Sequence, residues 1–176
     1  MRPAPAPPMT DPAAPPPDEP LAELFARHYR VLVRLVSGLL DDDGACEEVV
    51  QDAFASLLRQ DALPPVAKRA AYLRSAVLNG ARSRLRRRRT RRGHLRPVPD
   101  PAAAAETVAV DRVEHQRVLD TIRALPRRPA DVLLLRYQAE LSEAEIAETL
   151  GISPGSVKTH ASRGLASVRA TLEETP

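Results

Sequence analysis

The stretch LPRRPADVLLLRYQAELSEAEIAETLGISPGSVKTHASRGLASVRA, Leu125 to Ala170, decides how this chain is read. Ser142 is followed three places later by Glu145, the spacing of a capping box, so a helix is expected to start just after Leu141. Ile146, Ala147 and Leu150 give that helix an apolar stripe at helical spacing. Gly151 ends it where a positive φ is needed, which glycine adopts without steric cost. Ile152 plugs the corner, Ser153 can cap the next helix, and Pro154 fits a first turn where a missing N–H costs nothing. Val157, Ala161, Leu165, Val168 and Leu172 then recur every three or four residues as the buried side. The opposite face carries Ser156, Thr159, His160 and Arg163, flanked by Lys158 and Ser162. Short hydroxyls and cations of this kind hydrogen-bond base edges and phosphates. The whole has the layout of a helix-turn-helix, whose second helix lies in the major groove. A plain helical hairpin with a solvated face is the competing reading, and the agreement of caps, glycine and core positions weighs against it.

Composition narrows what can surround such a reader. The chain has 176 residues, enough for one domain or two small ones. Two Phe, three Tyr and no Trp leave Leu, Val and Ala to build the core, which favours small helical units over β-sandwiches. The pI near 9.5 arises with a formal net charge of only +3, so the charges are abundant but segregated. Nucleic acid suits the basic parts and a basic protein surface the acidic ones. The single cysteine, Cys46, excludes an intramolecular disulfide and gives no metal cluster, so no cofactor is expected. There is neither an apolar run of bilayer length nor a signal-peptide pattern, so the expectation is a soluble cytoplasmic protein without membrane insertion.

Along the chain the pattern is helical throughout. Residues 1–20 are rich in Pro and Ala and are read as a disordered leader. Leu21, Leu24, Phe25, His28, Leu32, Leu35 and Leu39 then recur at helical spacing until DDDG, Asp41–Gly44, breaks the run. Val49, Val50, Ala53, Phe54, Leu57 and Leu58 mark a second helix, and Tyr72, Leu73, Val77 and Ala81 a third. Residues 21–92 form the first expected domain, 93–109 a flexible linker, and 110–172 the second domain. The expected fold class is all-α, two small helical domains joined by that linker.

Charge segregation is the second signal. Asp41 to Leu58 holds six acidic residues and no basic one, whereas Arg82 to Arg96 holds nine arginines and no acid. So dense a run of arginine repels itself unless an anion is at hand, and phosphate is the obvious one. It extends directly from the helix bearing Tyr72 and Asn79, an aromatic and an amide that suit unstacked bases. Tyr72 taken alone suits the core equally well. The acidic helix leaves Glu47, Glu48, Gln51 and Asp52 available, which fits a docking surface for a basic helix and a solvated face equally.

These pieces, in this order, resemble the extracytoplasmic-function group of sigma factors, the initiation subunits of bacterial RNA polymerase. FARHYRVLVRLVSGLLDDDGACEEVVQDAFASLLRQ looks like the first half of their region two, and AYLRSAVLNGARSRLRRRR like the promoter-facing helix that follows. VLDTIRALPRRPADVLLLRYQAELSEAEIAETLGISPGSVKTHASRGLASVRA is similar to their region four. The resemblance implies core RNA polymerase and promoter DNA as partners, and admits an anti-sigma factor. It places Glu47, Glu48, Gln51 and Asp52 on polymerase. It assigns Asn79, Arg82, Arg84, Arg86 and Arg87 to the −10 element, where Tyr72 joins them as the expected aromatic platform, and Ser156, Lys158, Thr159, His160 and Arg163 to the −35 element. Ser83, Leu85, His160 and Ala161 depart from the residues frequent in the group.

Two other classes compete. A stand-alone helix-turn-helix regulator would bind an operator without polymerase, usually as a dimer on a palindrome. It leaves the acidic and arginine-rich helices of the first domain without a role. An enzyme would need a phosphate loop, metal-spaced His and Cys or paired carboxylates, and the sequence contains none of these patterns.

Overall fold

The computed structural model describes residues 20–92 and 106–174, and among these residues there are seven helices and no strand. The first three are α1 (Leu21–Ser37), α2 (Asp43–Leu58) and α3 (Val66–Arg92), which pack on one another. Lacking a side-chain cap, α1 starts from Pro20, whose carbonyl accepts from Glu23 N at 3.0 Å and Leu24 N at 3.1 Å. In α2 the acidic run does the capping, since Asp42 Oδ1 accepts from Ala45 N at 3.0 Å. Leu24, Leu32, Leu35 and Val36 of α1 meet Cys46, Val49, Val50 and Leu57 of α2 and Leu73, Val77, Leu78 and Ala81 of α3. Phe25, expected on the buried stripe, is instead 40% exposed at the rim, its ring 4.7 Å from Tyr29 and 4.8 Å from Phe54.

The second unit consists of α4 (Glu106–Ala124), α5 (Arg127–Tyr137), α6 (Glu143–Leu150) and α7 (Pro154–Glu173). Helix α4 therefore starts inside the stretch read from composition as linker, and residues 93–105 of that stretch lie outside the described residues, as does the leader to residue 19. Helices α4, α5 and α6 all pack on α7, so the last helix is held from three sides. Its buried residues are Val157, Ala161, Gly164 and Val168, facing Leu133, Leu134, Leu135 and Ile146.

The turn between α6 and α7 is built as its residues demand. Ser142 Oγ accepts from Glu145 N at 3.3 Å while Glu145 Oε2 accepts from Ser142 N at 2.9 Å, a complete capping box. Gly151 takes φ +61°, the left-handed conformation that lets its N–H and that of Ile152 reach back to α6 carbonyls. Ser153 Oγ accepts from Ser156 N at 3.1 Å, with Pro154 in the first turn of α7. Burial opposes the charged form of Glu145, but hydrogen bonds from Ser142 and the nearby Arg74 outweigh it and hold the carboxyl below its ordinary value of 4.5.

The two units share their apolar interior. Buried residues from α1 through α7 form one continuous cluster, with α3 touching α6 and the Leu134 side chain lying against Gly38 at the end of α1. Sequence periodicity specifies each stripe but says nothing about which stripe meets which, so this joint core is a finding of the fold.

Two outcomes follow from these contacts. Ser142→Ala should lower stability by about 1 kcal/mol, read as a shift of the urea midpoint. Because the folded Glu145 pKa is depressed, the part of the box made by its carboxylate is full above about pH 4.5 and is lost as pH falls through the folded value, so the gap between wild type and variant should narrow in acid to what the Ser142 Oγ bond from Glu145 N contributes. Burial, then the nearby Asp43 and Asp42, push the Cys46 thiol up to about 11. At pH 8 it should therefore stay unreactive to an aromatic disulfide reagent until urea unfolds the chain; rapid reaction of the native protein would contradict its placement.

Candidate nucleic-acid interface

Helix α7 presents its polar face outward. Lys158, Thr159, Ser162 and Arg163 are exposed, Ser156 and His160 half-buried. Charge on this face is available: Lys158 Nζ lies 3.7 Å from Glu143 of α6, with its side chain 70% exposed. Two of its hydroxyls are already occupied. Ser156 Oγ lies 2.9 Å from Ser153 Oγ, and Thr159 Oγ1 donates to Gly155 O at 3.1 Å. His160 keeps a buried Nδ1 without a hydrogen-bond partner. Behind the face, Arg136 donates to Glu143 Oε1 at 3.0 Å and Arg128 to Leu150 O at 3.4 Å, which ties α5 to both ends of α6. A cationic, hydroxyl-bearing helix braced in this way can be offered to a groove as a rigid body.

The basic face of α3 is not free in the same sense. Tyr72 is half-buried against the core, its hydroxyl 3.3 Å from Ser56 Oγ. Asn79 is exposed, but its Oδ1 accepts from Arg127 Nη2 at 2.8 Å. Arg82 reaches α5, where its Nε donates to Asp131 Oδ1 at 3.0 Å, its Nη2 bonds the same oxygen, and Nη2 also meets Arg127 O at 3.3 Å. Arg84 bonds Glu48, and Arg88 Nη2 lies 3.2 Å from Asp42 Oδ2. Arg86 and Arg87 are exposed. Of the residues expected to bind polymerase, Glu47, Gln51 and Asp52 are exposed on α2, and Glu48 is exposed while holding Arg84.

The structure thus brings the residues assigned to separate tasks into contact. The acidic helix neutralises part of the arginine helix, and the arginine helix reaches the second unit. The residues that sequence reasoning missed are those on the other side of these contacts. Asp131, with a side chain 2% exposed, holds Arg82 and lies 3.6 Å from Arg127. Arg74, which burial lowers from its ordinary pKa while Glu145 and Glu148 raise it, sits 3.6 Å from Glu145 of α6. Arg34 Nε donates to Gln138 O at 2.5 Å and Nη2 to Glu140 Oε1 at 2.9 Å. Arg123 of α4 donates to Ser37 O and Gly38 O, both at 2.9 Å, and to Asp41 at 2.5 Å. One signal was present in the sequence: Asp131 is an acid set among Ala130 and Val132–Leu135, where the helix is otherwise apolar.

Comparison with known proteins agrees with this division into two units. Residues 24–91 match the family described as Sigma-70 region 2, and residues 115–168 match Sigma-70, region 4. The chain is 27% identical over 152 residues to the RNA polymerase sigma-E factor of Streptomyces antibioticus, covering 86% of this chain and 83% of that protein. It is 26% identical over 155 residues to the RNA polymerase sigma factor CarQ of Myxococcus xanthus, covering 86% and 88%. Among solved structures, CnrH in complex with the cytosolic domain of CnrY superposes with a TM-score of 0.65 at 24% identity over 89% of each chain. RpoE in complex with the anti-sigma factor NepR, from Bartonella quintana, superposes with a TM-score of 0.61 at 18% identity over 88% of this chain and 99% of that one. At such identities the two structures speak to the fold.

Proposed function

The chain belongs to the sigma-70 family, in its extracytoplasmic-function group, and on that premise we propose which of its surfaces meet promoter and polymerase. It is an RNA polymerase sigma factor that directs promoter recognition and transcription initiation. Residues 21–92 are the region 2 domain and 110–172 the core of the region 4 domain, with the linker between them giving way to α4 at Glu106.

The observation that carries the assignment is the α7 face, cations outermost and braced behind a capped turn. In our reading this helix enters the major groove at the −35 element. Lys158 and Arg163 meet phosphates or guanine edges, while Ser156, Thr159 and His160 lie close enough to add hydrogen bonds to bases. Ser156 and Thr159 exchange their internal bonds for contacts with DNA as water leaves. On α3, Asn79, Arg82, Arg84, Arg86 and Arg87 line the −10 element, and Tyr72 supports them from the core side, offering its partly exposed edge. Guanidinium groups hold the backbone there, and the amide serves bases that have left the stack. Glu47, Glu48, Gln51 and Asp52 form the acidic surface that docks on polymerase, supported by the absence of any cation within α2.

On this reading the protein is a binding subunit rather than an enzyme, and its chemistry is that of the polymerase it joins. It works where promoter DNA is, in the cytoplasm, and no helix among the described residues is long and apolar enough to cross a membrane. An anti-sigma factor is a further proposed partner, supported by the complex in which RpoE was solved.

Run-off transcription with core polymerase across a promoter library tests the function: specific start sites should appear with the protein and be absent with core alone. Reversing the acidic face with Glu47→Lys and Asp52→Lys together should abolish those starts while leaving the urea midpoint unchanged. Tight operator binding without polymerase, and no start sites, would favour the stand-alone regulator. On a promoter duplex selected in that library, Lys158→Ala and Arg163→Ala should each reduce the slope of log affinity against log salt by about 1.

A further inference from the structure

The arginine run of α3 continues past the residues placed at the −10 element, and one hydroxyl sits inside it. Thr90 follows Arg86, Arg87, Arg88 and Arg89 in the sequence and precedes Arg91 and Arg92. It is the single Ser, Thr or Tyr between Arg84 and Arg96. Leu85 is the last residue of α3 that packs against the core, and Arg86, Arg87, Arg88 and Thr90 beyond it are exposed. The hydroxyl bonds within its own helix, Thr90 Oγ1 donating to Arg86 O at 3.1 Å. Helix α3 ends at Arg92, so fraying of its last turn frees that hydroxyl without disturbing Leu85 or anything before it.

The arginines around Thr90 differ in what they already hold. Arg82 is bonded to Asp131, Arg84 to Glu48 and Arg88 to Asp42. Arg86 and Arg87 are exposed, with no carboxylate partner among the described residues. They stand four and three places before Thr90 and so share its face of the helix. Helical side chains lean toward the N-terminus, so a group added to Thr90 Oγ1 comes to lie over these two guanidinium groups.

From this arrangement we propose that Thr90 is a phosphorylation site, the target of a serine/threonine kinase that reads arginines upstream, and that its phosphate weakens the −10 face by holding Arg86 and Arg87 in cis. The proposal rests on the reading of α3 as the −10 helix. In the transfer, Thr90 Oγ1 attacks the γ-phosphorus of ATP, and its bond to phosphorus forms as the bond to the β–γ bridging oxygen breaks. ADP leaves, and the hydroxyl proton passes to the catalytic carboxylate of the kinase. Carboxylates in the substrate groove of such a kinase find several guanidinium groups on the upstream side of Thr90. Ser83, the nearest other hydroxyl, is half-buried and has one arginine among the four residues before it. The phosphate carries about two negative charges and three acceptor oxygens, which suffices to occupy both guanidinium groups through their paired N–H donors. The promoter backbone is then met by a helix two cations poorer.

The test incubates the full chain with ATP and the catalytic subunit of an arginine-directed serine/threonine kinase, with a peptide of residues 84–96 as companion substrate. One phosphoryl group should appear, placed on Thr90 by tandem mass spectrometry, and Thr90→Ala should take none there. Holoenzyme assembled from the modified chain should bind a fork-junction −10 DNA about tenfold more weakly, with the slope of log affinity against log salt reduced by about 2. Holoenzyme carrying Thr90→Ala should bind as the unmodified chain does. Thr90 left unmodified in the folded chain, whether or not the peptide is modified, would overturn the site. Phosphate on Thr90 with unchanged affinity and slope would overturn its effect on the −10 face. Incorporation is read without DNA or polymerase, so failure of the sigma-factor reading shows separately, as absent start sites in run-off assays with the unmodified chain.

Discussion

One buried carboxylate organises the relation between the two halves of this molecule. Asp131 is almost fully removed from water, and a lone charge in that position would cost several kcal/mol. Arg82 from the first unit and Arg127 from its own helix compensate it. The requirement is mutual, because Arg82 begins a run of arginines that has few anions of its own to lie on. Satisfying the acid therefore draws α3 against α5, and the apolar contact of Leu134 with Gly38 follows in the same interface. This pairing of a charge that must be matched with a charge that is in excess lies beside the continuous core through all seven helices.

The same logic operates on the other side of α3. Arg84 and Arg88 reach Glu48 and Asp42 of α2, so the acidic helix serves its neighbour before it meets any partner. These pairs are partly exposed and individually weak, so they give way readily to a stronger ligand of either sign. The acidic face and the basic face of the first unit are thus not two independent surfaces. Engagement of Glu48 by a basic partner releases Arg84, and engagement of Arg84 by phosphate releases Glu48.

What could be read from the sequence was what is local. The capping box at Ser142 and Glu145, the left-handed turn at Gly151 and the Ser153–Pro154 start of α7 each depend on residues within a few positions, and each is found as expected. Helical stripes such as Val49, Val50, Ala53 and Leu57 were equally plain, because burial repeats with the helix turn. Phe25 was misplaced because a stripe predicts a face and not how far the neighbouring helix extends over it. The contacts between the units, Arg82 with Asp131 or Arg34 with Glu140, join residues far apart in the chain and leave no periodic trace. Only the lone acid amid the apolar residues of α5 hinted at them. The residues of the candidate interface were legible as types, but which of them already had partners was not.

The contact of Arg82 with Asp131 has both halves on one polypeptide, and that governs what it responds to. An association between separate molecules loosens on dilution, whereas a bond within one chain sees an effective concentration fixed by covalent connection. How firmly Arg82 holds Asp131 is therefore independent of how many copies a cell holds. Ionic strength acts on it only weakly as well, because a carboxylate 2% exposed is screened far less than a surface pair. A contact built this way answers neither to the chain's own abundance nor, at its buried carboxylate, to the salt around it.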